Sequence, residues 1–184
     1  MTRSLIATAI LFSVAVVLGI GTPPGIFTRL VQELGDLLQP LGTINPLLLF
    51  FAIFLNNAIK ALGVIGLGIL VGIPPVLFIG INGLVLGSVI SGVKSVHGVE
   101  YAVAGIAPHG VIEIPMILLA TALGFMVGWE SLKWLRRKES SVKSQLSSSL
   151  KLYLKAILPG LAVAAVIEVL VTPPPHLIGL VGGG

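Results

Sequence analysis

The chain has 184 residues, 55% of them hydrophobic and 10% charged, with a formal net charge of +4, no cysteine and a mean hydropathy of +1.09. Soluble domains carry roughly a quarter charged residues, so this balance makes lipid the main solvent. Missing cysteine excludes disulfides, thiolate metal sites and cysteine nucleophiles together, and the length suits one integral membrane domain over residues 1–184.

Taken in chain order, the first apolar run, Leu5 to Ile20, follows Thr2-Arg3-Ser4 and ends at Gly21-Thr22-Pro23-Pro24. It reads as an anchor, because further spans follow and residues 21–25 make a poor cleavage context. Residues 26–41 are amphipathic: Ile26, Leu30, Leu34, Leu37 and Leu38 oppose Arg29, Gln32, Glu33 and Asp36. That stretch is too short and too charged to span, and predicts an interfacial helix. A second span runs from Pro46 to Val71 and carries Asn56, Asn57 and Lys60. The third, Val76 to Val93, contains Asn82-Gly83 and Gly87.

The fourth span, Tyr101 to Trp129, contains Pro108-His109-Gly110-Val111-Ile112-Glu113. A basic, Ser-rich stretch over 131–155 follows, read as a loop, and a fifth span covers Ala156 to Val171. The expected fold is therefore an all-α transmembrane bundle of about five spans. The 131–155 stretch holds seven of the eleven basic residues, so the positive-inside rule makes it cytoplasmic. Counting back puts the amino terminus on the same side and the carboxyl terminus outside, in the cell membrane. Spans two and four exceed the roughly 20 residues a bilayer requires. Tilt absorbs such excess; a break near Asn56-Asn57 and Pro108–Gly110 is the alternative, as in transporter helices.

Ionisable groups inside a bilayer are costly and mark functional positions by default. Asn56, Asn57 and Lys60 are spaced to share one helix side, and His109 and Glu113 stack one turn apart. With Asn82 they form the expected intramembrane polar, ion-binding set, in which Glu113 is the natural counter-charge for Lys60. A buried structural ion pair, or a lysine reaching for the headgroups, accounts for the same residues without any transport role. His109 and Glu113 are weak metal candidates: two ligands on one helix are too few, and H-E-x-x-H is absent. Ser88 and Ser91 sit in no nucleophile motif, so no enzyme activity and no cofactor are expected. The Gly-rich faces of spans two and three suit close helix packing and predict a homodimer. Other expected partners are the lipid bilayer and membrane-complex proteins, with no nucleic acid.

The order Asn56-Asn57, then Asn82-Gly83 with Gly87, then Pro108-His109-Gly110 with Glu113 and Gly124 resembles the stage II sporulation protein M family. The resemblance covers about Phe50 to Gly128, and the PHGxxE element is its most specific part. It implies a multi-pass membrane protein. Namesakes in spore-forming bacteria belong to an envelope-remodelling complex that thins peptidoglycan, with the hydrolase chemistry on partner proteins. Two functions are therefore expected in competition: ion or proton binding with small-solute permeation, and a non-catalytic membrane scaffold.

Overall fold

The computed structural model describes residues 1–23 and 45–171, except for the side chains of residues 96, 97, 99, 101–109 and 171. The amphipathic segment expected over 26–41 lies outside the described residues. Among those described, every regular element is helical: α1 (Thr2–Ile20), α2 (Pro46–Leu67), α3 (Ile73–His97), α4 (Val99–Leu135), α5 (Val142–Leu152), a π-turn (Tyr153–Ile157) and α6 (Leu158–Val171). Five stretches are long and apolar enough to cross a membrane: Thr2–Ile20, Pro46–Leu67, Ile73–Ser95, Gly110–Leu135 and Val142–Leu170. The protein is an all-α transmembrane bundle.

Helix α2 starts where Asn45 Oδ1 accepts a hydrogen bond from the Leu47 amide at 2.9 Å, with Pro46 in the first turn, where its missing N–H removes no helix bond. It runs unbroken through Asn56-Asn57, and α4 runs unbroken through Pro108–Gly110, so neither span adopts the broken-helix alternative. Between α2 and α3 the chain reverses through Val71 (φ 57°) and Gly72 (φ 77°). A β-branched residue in that region is a genuine outlier that the surrounding structure must hold in place.

The segment over 131–155, expected as a loop, is mostly helix. Helix α4 continues to Leu135 and α5 begins at Val142. Glu130 fixes this corner: one carboxylate oxygen pairs with Lys133 Nζ at 2.6 Å, and the other accepts from the Ser141 amide at 2.9 Å. Beyond the corner, Leu146, Leu150, Tyr153 and Ile157 recur at helical spacing, and that strip buries against the bundle while Lys143, Lys151 and Lys155 stay exposed. Periodicity overrules the Ser/Lys composition here.

The π-turn precedes Pro159. A proline has no N–H for the carbonyl four residues back and its ring crowds that position; a wider turn, in which the Leu158 amide reaches the Tyr153 carbonyl, lets the helix continue. The central core gathers Ala61, Val64 and Ile65 of α2, Ala120 and Leu123 of α4, Tyr153 and Ile157 of the π-turn, and Leu161 of α6.

Two seams of small residues join helices two apart in sequence. On the first, Gly83 of α3 meets Ala15 of α1, and Gly87 meets Gly19. On the second, Gly124 of α4 meets Gly68 and the Val64 carbonyl of α2, while Gly128 meets Gly72. In lipid there is no apolar transfer gain between helices, so such close backbone approach lets dispersion hold the pair. These contacts absorb most of the glycines expected to drive dimerisation. At Gly63, Gly66 and Gly80 an added methyl would have nothing within 4 Å, and these three remain open on the outside.

Candidate intramembrane polar site

Helix α2 spans 22 residues, about 33 Å at 1.5 Å per residue, and Asn56-Asn57 sit at its middle. The second glycine seam sets the depth of everything around them. Gly68 meets Gly124 and Gly72 meets Gly128, so α2 and α4 run parallel. The closest contacts also pair Gly124 with Val64 and Gly128 with Gly68, so the register carries Asn57 to between Glu113 and Ile117 and Lys60 to between Met116 and Ala120. Pro75 also meets Gly124, and α3 climbs from there antiparallel to α4, which brings Asn82 level with Ile117. Asn57, Lys60, Asn82 and Glu113 therefore fall within about two helical turns of depth, roughly 11 Å.

Sharing a depth is not sharing a face. Asn57, Ala61, Val64 and Gly68 recur at helical spacing on the side of α2 that packs on α4, and Asn57 is half-buried. On α4 the matching strip is Glu113, Ile117, Ala120 and Gly124, and Glu113 is half-buried on it and engaged in a polar or electrostatic interaction. Asn57 and Glu113 thus lie on the facing strips of α2 and α4, within about one turn of each other in depth. The side chain of His109 lies outside those described; its backbone stands one turn before Glu113 on α4.

Asn56 and Lys60 lie on the adjacent strip with Gly63, and both are exposed. The three α2 side chains expected to face one cavity are divided: one inward, two outward. Asn56 Nδ2 donates to Asn57 Oδ1 at 3.4 Å, which bridges the two strips. Among the described residues the ion pair present is Lys133–Glu130, and Lys60 has none there, so the expected Lys60–Glu113 pair is not formed among them. Asn82 Nδ2 donates to the Phe78 carbonyl at 2.8 Å, a bond to its own helix one turn back. Among the described residues no three His, Cys, Asp or Glu side chains gather as a metal site.

Tyr153 belongs to no motif that sequence reasoning picks out. Its hydroxyl donates to the Ala58 carbonyl at 3.0 Å, one residue past Asn57, and its ring is buried in the core. The bond ties the π-turn to the back of the polar strip. The signal for it is the apolar period through Leu146, Leu150 and Ile157. Ser88, outside any nucleophile motif, shares a 3.0 Å hydrogen bond with Thr22 Oγ1 and links the ends of the α1–α3 seam.

A family model described as Stage II sporulation protein M matches residues 5–173. The chain belongs to the stage II sporulation protein M family. No curated protein and no solved structure matches it. The family match takes in all five spans and both glycine seams, which makes the seams part of this family member's matched region and extends the likeness well beyond Phe50 to Gly128.

Proposed function

We propose that this family member binds a cation or proton at the α2–α4 seam, through Asn57 and Glu113 with His109 one turn away and Asn82 close in depth, and that this binding controls passage of a small solute. The reading is supported by the parallel α2–α4 packing, in which half-buried Asn57 and Glu113 lie on facing strips within about one turn of depth. A carboxylate and an amide oxygen are the hard donors that a cation takes, and the backbone of His109 stands one turn before Glu113 on the same helix. The outward strip of Asn56, Lys60 and Gly63 meets a second copy of the chain, because lipid satisfies neither an amide nor an ammonium. Reconstitution in liposomes tests this. Proton or cation flux is expected in the parent and absent in a folded Glu113→Gln variant; equal flux in both would overturn it.

A non-catalytic scaffold, as in envelope-remodelling complexes, is the second reading, and a specific feature favours it. Toward the basic end the α2–α4 seam is shut by backbone contact at Gly68, Gly124, Gly72 and Gly128, leaving no path between these helices unless they separate. A positively charged Lys60 also suits a partner helix carrying a carboxylate better than its own symmetry mate. In that case neither the parent nor a folded Glu113→Gln variant shows flux, and Glu113→Gln stays bound to the membrane partner.

The basic-residue asymmetry supports a cytoplasmic amino terminus and an outer carboxyl terminus. The chain lacks cysteine, so single cysteines report cleanly. One at Ser140 is expected to label from the cytoplasmic side and one at Ser95 from the outside; the reverse pattern inverts the orientation.

A further inference from the structure

At the basic end of the bundle lies a cavity that the polar site does not use. It has a volume of about 1030 Å³ and is formed by the turn after α2, the last turn of α4 and the first turns of α5. Leu70, Trp134 and Leu135 line one wall, and all three are exposed apolar side chains at the rim of membrane-spanning helices. Ser141, Ser144 and Lys143 line the other. Arg136, Arg137 and Lys138 sit on the turn joining Leu135 to Ser140, both of which border the cavity.

The two walls ask for different chemistry in one molecule. A soluble anion has no use for the open apolar wall, and a hydrocarbon chain has none for the serines and the ammonium. An indole at the end of a span marks the headgroup level of the bilayer, which puts the cavity where a lipid has both parts. Glu130 pairs with Lys133 and accepts from both the amide and the hydroxyl of Ser141, so Lys143, Ser144 and Ser147 are the polar lining groups that face a ligand. We propose that the cavity holds an anionic phospholipid, with its phosphate against Lys143 and the hydroxyls of Ser144 and Ser147 and its acyl chains along Leu70 and Leu135. Basic pockets between helices at a membrane face take such headgroups.

The chain has two tryptophans, so a Trp129→Phe variant leaves Trp134 as the reporter inside the cavity. In proteoliposomes made chiefly of phosphatidylcholine, acyl-brominated phosphatidylglycerol is expected to quench Trp134 more than the same mole fraction of acyl-brominated phosphatidylcholine. Lys143→Gln should cut that preference about five-fold, the effect of one basic side chain at an anionic surface. Ser144→Phe, which fills the cavity, should cut it as well. Lys151→Gln, exposed but outside the cavity, should leave it unchanged. Equal quenching by the two lipids overturns the proposal, as does an equal loss in the Lys143 and Lys151 variants, which reports general surface charge. If inorganic phosphate shields Trp134 without any lipid preference, the cavity belongs to a soluble phosphate compound and the lipid assignment fails.

Discussion

Leucine at Gly87 is expected to detach α1 from the bundle. A methyl at this position would stand 2.8 Å from the Ile20 amide nitrogen and 2.9 Å from the Gly19 Cα, and would collide with the Val16 carbonyl. These are backbone atoms, which do not move aside as a flexible side chain does. The α1–α3 seam is the main attachment of α1, and Thr22–Ser88 closes its end. Opening it by a side-chain width forfeits both the dispersion along the seam and that bond, a loss of about 3 kcal/mol. Thermal unfolding in mild detergent should show the drop, together with new proteolysis just after Gly21. Gly80→Leu is the matched control: it lies on the same helix with open space around it, and its folding stability should change by less than about 0.5 kcal/mol. If both variants melt together, the seam does not hold α1.

Lys60→Leu is expected to move stability and function in opposite directions. Lys60 lies seven residues from the end of α2 at Leu67, about 10 Å along the axis, and a lysine stem reaches only roughly 6 Å toward the headgroups. An exposed ammonium so deep in a span is unfavourable by about 2.5–3.5 kcal/mol on insertion scales. Replacing it with leucine should therefore raise the unfolding free energy of the isolated chain by about 2 kcal/mol, after some allowance for reach. Self-association in nanodiscs, and any flux that depends on it, should fall. A Lys60→Leu chain that is less stable than the parent would mean the ammonium has a stabilising partner within the fold.

The spans are legible because a run of apolar residues between Gly/Pro punctuation has few other meanings in a chain this poor in charge. The five-span count follows from that alone. Two features mislead for physical reasons. The segment over 131–155 looks like a loop because its charges and serines outnumber its apolar residues, yet a helix needs only one apolar strip to bury, and Leu146, Leu150, Tyr153 and Ile157 supply it. Breaks at Asn56-Asn57 and Pro108–Gly110 are suggested by composition, and both helices run through them. For the candidate polar site, the sequence names candidate residues and the spans that carry them. It does not supply the faces, because Asn56 and Asn57 are adjacent in sequence but about 100° apart around a helix. Which of them turns inward depends on which strip carries Gly68 to Gly124, a fact about a partner helix.

The seams also constrain how the chain can be made. Each joins helices separated by an intervening span: α1 waits for α3, and α2 waits for α4. Spans leave a translocating ribosome one after another, so neither seam closes as a simple hairpin of successive helices. Once α3 has entered the bilayer, α1 can lock against it while α2 still exposes the glycine face meant for α4. The nascent protein therefore passes through a stage in which one close-packing surface is complete and another, with the polar strip beside it, is open to any helix in the membrane. A second nascent chain is the nearest competitor for that surface, and the order in which spans emerge decides whether pairing within the chain or between chains comes first.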